Sequence, residues 1–165
     1  MERHSIYRRE ITRSKGVYAL VFKLKHGFKG RVGSLGEVVL EPGIYVYIGS
    51  ARGGGGLRAR ILRHISRSKR IHWHIDYVTM SKGYEPLLAV YTKTEDDVEE
   101  EIARNLISYN AFSIACQRFG STDKNSPSHL LKCIDEFNKC IEIIVEIFKQ
   151  YGTPEVAKLD CIEND

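Results

Sequence analysis

Residues 43–65 read GIYVYIGSARGGGGLRARILRHI, and this stretch decides the fold. Its first part, GIYVYIG, is rich in β-branched and aromatic residues and predicts a strand. The glycine run that follows can continue neither a strand nor a helix, so it marks a turn. In residues 57–65, apolar residues recur at helical spacing and predict an amphipathic helix. Arg60 and His64 lie four residues apart on this helix and therefore project to the same side.

Further strands and helices are predicted on both sides of this stretch. Residues 16–24, GVYALVFKL, favour a buried strand. Further strands are expected at residues 37–40, 71–80 and 86–92. Helices are expected over residues 94–106, with Thr94 as the N-cap, and over residues 129–151, followed by a frayed tail. The prediction is an α/β (α+β) fold, a small and mainly antiparallel sheet flanked by helices, with an added C-terminal helix.

The composition is that of one ordinary globular domain. The chain has 165 residues, of which 42% are hydrophobic and 28% charged, so a fibrous or wholly disordered protein is excluded. Its apolar runs are too short to cross a bilayer, and its first ten residues lack the apolar run of a secretory signal. We therefore expect a cytoplasmic protein without a membrane partner. The four cysteines lack CxxC spacing and are expected to be free thiols.

Charge is divided unevenly along the chain. The first 70 residues contain 16 Lys and Arg against four acidic residues, a formal charge of +12, and the remainder carries −8. A polyanion such as nucleic acid would meet the basic N-terminal part. The alternative is two solvated faces of opposite sign.

Four short motifs follow one another in a particular order. They are GVY at residues 16–18, YIG at residues 47–49, an Arg-x-x-x-His pair at Arg60 and His64, and a segment, VEEEIA, that contains Glu99. Their order and the Arg-to-His spacing resemble the pattern of the GIY-YIG nuclease superfamily. The resemblance implies a metal-dependent DNA endonuclease that hydrolyses phosphodiester bonds, with the fold of that superfamily.

The segment GIYVYIG contains both halves of the family name within seven residues, at Tyr45 and Tyr47. Side chains two apart on one strand share a face, whereas the two tyrosines of the family come from neighbouring strands. The role of the first tyrosine is therefore assigned to Tyr18. The insertion between Tyr18 and Tyr47 is longer than in compact members of the family, and we expect it to form an extra hairpin.

The sequence resembles in particular the small single-domain branch called Uri-type endonucleases. That branch shares YIGSA, GLRARxxRH, a WHID segment at residues 73–76, and a loop with glycine, aspartate and SHL at residues 119–130. Together the matching blocks cover residues 16–131. We therefore expect a nuclease-like domain over residues 1–131 and a C-terminal helical extension over residues 132–165.

The resemblance implies a catalytic role for each motif residue. Tyr18 would activate the attacking water, and Tyr47 would orient that water or contact the phosphate. Arg60 would bind the scissile phosphate, and His64 would relay the proton. Glu99 would bind one Mg²⁺ or Mn²⁺ ion, which takes few protein oxygens and keeps several waters. Because an unperturbed tyrosine has a pKa of about 10 and is a poor base, the metal and Arg60 are expected to lower the pKa of Tyr18.

Further candidates surround these residues. Glu101 is an alternative metal ligand, because the run of three glutamates from Glu99 leaves the helix register open. Predicted nucleic-acid contacts are Arg52, Arg58, Arg63, Lys69, Arg70 and His74. Secondary site candidates are Gly49, Glu101, Asp123 and His129. On a strand at residues 71–80, His72, His74 and Asp76 would share one face, where they could bind a transition metal or simply bond to backbone or DNA.

Two other functions stay open from the sequence alone, as does the oligomeric state. One is a nucleic-acid-binding module that keeps the fold without hydrolysis, although a decayed site would be expected to have lost a motif residue such as Arg60 or Glu99. The other is a metal-dependent enzyme for a different phosphate or nucleotide substrate, which salt-sensitive DNA binding would disfavour. Without the shared pattern, the same side chains would be interpreted as a solvated helix face and as tyrosines packed in a sheet.

Overall fold

Residues 11–122 and 125–160 are described by a computed structural model. The strands are β1 (Gly16–Leu24), β2 (Phe28–Arg31), β3 (Glu37–Leu40), β4 (Gly43–Ala51), β5 (Tyr84–Lys93), β6 (Phe112–Ile114), β7 (Leu130–Cys133) and β8 (Glu155–Lys158). The helices are α1 (Gly56–Ile65), α2 (His74–Thr79), α3 (Glu99–Ile107) and α4 (Phe137–Phe148). None of these helices is long and apolar enough to cross a membrane. The expected α/β (α+β) class, with a mainly antiparallel sheet flanked by helices, is confirmed.

Strand β1 lies inside a six-stranded sheet with the order β6-β7-β4-β1-β5-β8. It pairs antiparallel with β4 on one side and with β5 on the other along its whole length. Both of its faces are buried. This burial explains why GVYALVFKL is an almost continuous apolar run and does not alternate between apolar and polar residues.

The sheet has a hydrophobic core on each face. On one face, Tyr18, Leu20 and Phe22 pack with α1, α2 and the two-stranded sheet β2-β3. On the other face, the alternate residues of β1, beginning with Val17, pack with α3 and α4. The extra hairpin expected between Tyr18 and Tyr47 is confirmed as β2-β3.

The strand predicted at residues 71–80 is wrong. Residues 74–79 form helix α2, because the Asp76 carboxylate accepts the backbone N–H groups of His72 (2.8 Å) and Trp73 (2.9 Å) and so caps the first turn. The strand face that would have carried His72, His74 and Asp76 does not exist. Within the described residues, no group of three or more His, Cys, Asp and Glu side chains could hold a metal ion.

Two predicted helices have different bounds. The third helix begins at Glu99 and not at Thr94, whose hydroxyl oxygen accepts the N–H of Asp96 in a local turn. The predicted helix over residues 129–151 is replaced by strand β7 and helix α4, and β8 pairs with β5 where a frayed tail was expected. The predicted boundary between residues 131 and 132 therefore falls inside β7.

The prediction that all cysteines are free thiols is wrong for one pair. Cys133, at the end of β7, and Cys140, in α4, form a disulfide across seven residues of sequence. The turn between the strand and the helix brings the two cysteines together, and no cysteine-spacing motif in the sequence predicts their pairing. Cys116 is a free thiol, and Cys161 lies outside the described residues.

Candidate active site

A cleft of about 310 Å³ opens where β1 begins and β4 ends. Helix α1, the N-terminal ends of α2 and α3, and the loops before α3 and β7 form its walls. The lining residues are Tyr18, Tyr47, Gly49, Ser50, Arg52, Arg60, His64, Trp73, Asp97, Glu99, Gly120 and His129. All five side chains predicted to be catalytic are among them.

The register of β1 and β4 brings the two tyrosines together. Tyr18 is opposite Gly49, and Tyr47 is opposite Leu20, so the two phenols are diagonal neighbours on one face. A Cβ atom on Gly49 would overlap the ring and hydroxyl of Tyr18, so only glycine leaves room for that ring. Tyr45 does not compete for the site, because its hydroxyl donates to the Glu41 carbonyl (2.6 Å) near the other end of β4.

Helix α1 directs its polar side chains toward the tyrosines. It begins after Gly55, whose left-handed backbone (φ +82°) is a conformation that glycine adopts readily. One helical turn separates Arg60 from His64, and both reach the cleft. The Nε2 atom of His64 lies 2.5 Å from the Tyr18 hydroxyl oxygen, and the His64 carbonyl accepts the Tyr84 hydroxyl (3.0 Å).

Burial keeps the tyrosine and the histidine of this pair neutral. Burial, and then the nearby Tyr47, raise the pKa of Tyr18 well above its usual value, and Arg60 opposes this only in part. The expected lowering of the Tyr18 pKa is therefore not found for the protein alone. Burial, with a smaller contribution from Lys69, lowers the pKa of His64 to about 3. A neutral Nε2 can accept the Tyr18 proton, while the buried Nδ1 has no hydrogen-bond partner among the described residues.

The three consecutive glutamates of α3 face different surroundings. Glu99, the first helical residue, is 8% exposed and lines the cleft. Glu100 accepts the N–H of Ser126 (3.2 Å) and lies 4.0 Å from Nε2 of His129. Glu101 is exposed and lies outside the cleft lining. Of the two alternative metal ligands, only Glu99 lines the cleft.

Of the predicted nucleic-acid contacts, only Arg52 lines the cleft, while its Nη1 donates to the Glu95 carbonyl (2.8 Å). Arg63 forms an ion pair with the buried Asp76 (2.7 Å), and Lys69 donates to the Arg63 carbonyl (2.8 Å) and to a threonine hydroxyl. These two cations have structural partners. The other three predicted contacts lie outside the cleft lining: half-buried Arg58, exposed Arg70, and His74, whose Nδ1 accepts the Gly120 N–H (3.0 Å).

The secondary candidates have different positions. Gly49 lines the cleft beneath Tyr18. His129 also lines the cleft, and its backbone bonds both to Phe119 and to Ile48 of β4. Asp123 lies outside the described residues.

Four lining residues are absent from the prediction: Ser50, Trp73, Asp97 and Gly120. On the strand predicted at residues 71–80, Trp73 would face away from His74, so that prediction gives it no place in the site. The helix predicted over residues 94–106 would place Asp97 in its first turn, whereas Asp97 lies in the loop just before α3. The YIGSA block was a signal for Ser50, which directly follows Gly49. The WHID block likewise contains Trp73, and the shared loop block contains Gly120, whereas no local pattern distinguishes Asp97.

The carboxylates of the cleft fit one kind of metal ion. Among the described lining residues, Asp97 and Glu99 carry carboxylates. Mg²⁺ and similar hard cations bind through one or two carboxylates together with water and substrate phosphate oxygens. The donor set therefore fits a hydrated Mg²⁺ or Mn²⁺ ion and does not fit an ion that needs a complete cage of protein ligands.

Comparison with protein families gives a match over most of the chain. The family described as Domain of unknown function DUF123 matches residues 17–152, which include every described residue of the cleft lining. No curated protein and no solved structure matches the chain.

Proposed function

This chain belongs to the family described as Domain of unknown function DUF123, and we propose that its cleft is the active site of a metal-dependent DNA endonuclease of the GIY-YIG type. One observation carries the proposal. Tyr18, Tyr47, Arg60, His64 and Glu99 come from two strands and two helices, and all line a single cleft of about 310 Å³. Such a cleft can admit a phosphodiester group with its neighbouring sugars.

Hydrolysis of a phosphodiester requires positive charge beside the phosphate oxygens, because negative charge builds on them in the transition state. Arg60 supplies a half-buried guanidinium on the helical wall of the cleft. A guanidinium can bind two phosphate oxygens at once. Arg52, at the rim, adds a second positive charge that can contact the next phosphate along the strand.

The attacking water must lose a proton, and the Tyr18–His64 pair offers a path for it. As the water oxygen bonds to phosphorus, its proton passes to the Tyr18 oxygen and the Tyr18 hydroxyl proton passes to Nε2 of His64. The bond to the leaving oxygen breaks, and that oxygen takes a proton from solvent. The negative phosphate favours the imidazolium and opposes the lowering of the His64 pKa that burial causes. The neutral Tyr47 hydroxyl orients the water.

Glu99, with Asp97 beside it, would hold one Mg²⁺ or Mn²⁺ ion. When bound, such an ion supplies Lewis-acid stabilisation of the charge on the phosphate oxygens. DNA is the proposed substrate because the first 70 residues, which provide Arg52 and Arg60, carry a formal charge of +12. A cytoplasmic location belongs to the proposal, although the Cys133–Cys140 disulfide is unusual for a reducing compartment.

The test is cleavage of supercoiled, branched and single-stranded DNA with Mg²⁺ or Mn²⁺. We expect the wild type to cut at least one substrate and Glu99→Gln to bind the same DNA without cutting it. Glu101→Gln is the matched control, because it removes a neighbouring charge outside the cleft, and it should cut like the wild type. Equal cleavage by Glu99→Gln and the wild type would contradict the proposal.

Two other outcomes identify the rival functions. Salt-sensitive DNA binding by the wild type without any cleavage would mean a nucleic-acid-binding module. Absence of DNA binding, together with metal-dependent hydrolysis of a nucleotide or a small phosphodiester, would mean an enzyme for a different phosphate substrate.

A further inference from the structure

The indole of Trp73 lies on the wall of the cleft beside the proposed phosphate-binding arginine. Trp73 is the only tryptophan of the chain, and it is half-buried at the N-terminal end of α2. The Arg60 guanidinium carbon lies 4.3 Å from the centroid of the Trp73 ring, and that of Arg63 lies 4.7 Å from it. A cation over an aromatic face at this distance is attracted by the electrons of the ring.

The two arginines differ in their other partners. Arg63 donates to the Asp76 carboxylate (2.7 Å) and to the Arg70 carbonyl (2.5 Å), so its guanidinium is committed to the protein. For Arg60, the described part of the chain contains no hydrogen bond or ion pair, and the ring of Trp73 is its observed contact. A ring contact leaves the N–H groups of Arg60 available for phosphate oxygens.

The position of Trp73 is itself fixed by a buried carboxylate. Asp76 is fully buried, and its Oδ2 atom accepts the Trp73 N–H (2.9 Å), the His72 N–H and the Arg63 guanidinium. The hydrogen bonds to Asp76 lower the pKa of this carboxyl group, against the effect of burial, and it stays ionised at neutral pH. Asp76 thus joins the start of α2, and with it the backbone of Trp73, to helix α1, which carries Arg60.

From this arrangement we infer that Trp73 is a positioning residue for Arg60. The indole holds the guanidinium at the cleft in an orientation that can receive a substrate phosphate. An unsupported arginine would sample many rotamers and would lose this conformational freedom each time it bound a phosphate, at a cost in binding free energy. The inference rests on the proposed nuclease function, because it concerns how the same site binds its phosphate.

The kinetic test compares Trp73→Phe with Trp73→Leu in single-turnover DNA cleavage over a range of DNA concentrations. Phenylalanine keeps an aromatic face, whereas leucine keeps only apolar bulk. We expect Trp73→Leu to reduce cleavage at low DNA concentration about tenfold or more, and Trp73→Phe to restore most of the loss. In an Arg60→Ala background, Trp73→Leu should cause little further loss, because the group that it positions is absent.

A fluorescence titration supplies a second readout, since Trp73 is the only indole. Addition of a short DNA duplex, with EDTA present to prevent cleavage, should change the fluorescence emission of Trp73 in the wild type. The same change is expected in Lys82→Ala, a control that removes an exposed charge after α2. Arg60→Ala should bind the duplex with a much smaller emission change. Thermal unfolding of each variant shows whether a lost activity reflects lost folding.

The outcomes separate this inference from the proposed function. If the wild type cuts DNA and Trp73→Leu cuts equally fast at all concentrations, the inference is wrong and the nuclease proposal stands. Equal losses from Trp73→Leu with and without Arg60 would also overturn it, because the tryptophan would then act independently. A wild type that neither binds nor cuts DNA overturns both.

Discussion

The hydroxyl oxygen of Tyr18 lies 2.5 Å from Nε2 of His64, and each side chain is only 1% exposed. The two residues are 46 positions apart in sequence, and the packing of α1 on β1 and β4 brings them together. Burial disfavours the charged form of both groups, so they share one proton as a neutral pair. A proton donor placed in the cleft can transfer its proton into this pair.

The buried His64 should make stability depend on pH in the acidic range. Its pKa is about 3 in the folded protein and about 6.5 in the unfolded chain, so between these values the unfolded chain binds a proton that the folded protein does not. The free energy of unfolding should therefore fall as pH decreases from 7, by at most about 1.4 kcal/mol per pH unit from this group. Above pH 7 this contribution is constant.

Urea unfolding at pH 7 and pH 5 measures this effect. His64→Gln replaces the imidazole with a carboxamide, which can hydrogen-bond to Tyr18 but does not titrate. We expect the wild type to lose more stability than this variant between the two pH values. Parallel losses in the two proteins would show that His64 does not contribute.

The absence of a side chain at Gly49 should be essential for the packing of Tyr18. In Gly49→Ala, the new Cβ would overlap the Tyr18 ring and hydroxyl, so the ring must move away from His64. We expect a loss of about 1–3 kcal/mol of stability, together with strongly reduced DNA cleavage. Chemical unfolding and a cleavage assay measure the two effects.

The control for this substitution is Gly54→Ala, because a Cβ on Gly54 would have nothing within 4 Å. It should change stability by less than about 0.5 kcal/mol. If Gly49→Ala and Gly54→Ala have equal stability, the overlap with Tyr18 is relieved without cost and the account of Gly49 is wrong.

The Cys133–Cys140 disulfide should stabilise the protein under oxidising conditions. It closes a short loop between β7 and α4, for which loop-closure entropy predicts about 2 kcal/mol. We expect Cys133→Ser to be less stable than the wild type without reductant, and the two proteins to have similar stability with dithiothreitol. An unfolding midpoint of the wild type that does not respond to dithiothreitol would contradict the disulfide.

Local pattern predicted the elements that build the centre of the fold. The apolar run of residues 16–24 became β1 with the same bounds, and the spacing in residues 57–65 became most of α1. Both segments are recognisable from local pattern. Strand β1 is buried on both faces and is therefore apolar almost throughout, and α1 is buried on one face and therefore has apolar residues at helical spacing. The pattern also indicated Tyr18, Tyr47, Arg60, His64 and Glu99, which the structure brings to one cleft.

Elements that depend on distant partners were not predictable in this way. The segment HIDYVT has the alternation of a strand, but Asp76 caps it as a helix and pairs with Arg63 of α1. The place of Trp73 in the cleft follows from that cap. The residue at which α3 begins determines that Glu99 lines the cleft and Glu101 does not. This residue could not be predicted from the sequence, because it depends on the structure of the preceding loop.

The central claim is that Tyr18 and Glu99 act on one phosphate in one reaction. Single-turnover cleavage of DNA with Mg²⁺ should be measured for the wild type, Tyr18→Phe, Glu99→Gln and the double variant. Groups that act as a unit have non-additive effects, so each single substitution should slow cleavage at least about 100-fold and the double variant should be little slower than the worse single one. Wild-type cleavage rates in both single variants would contradict the claim.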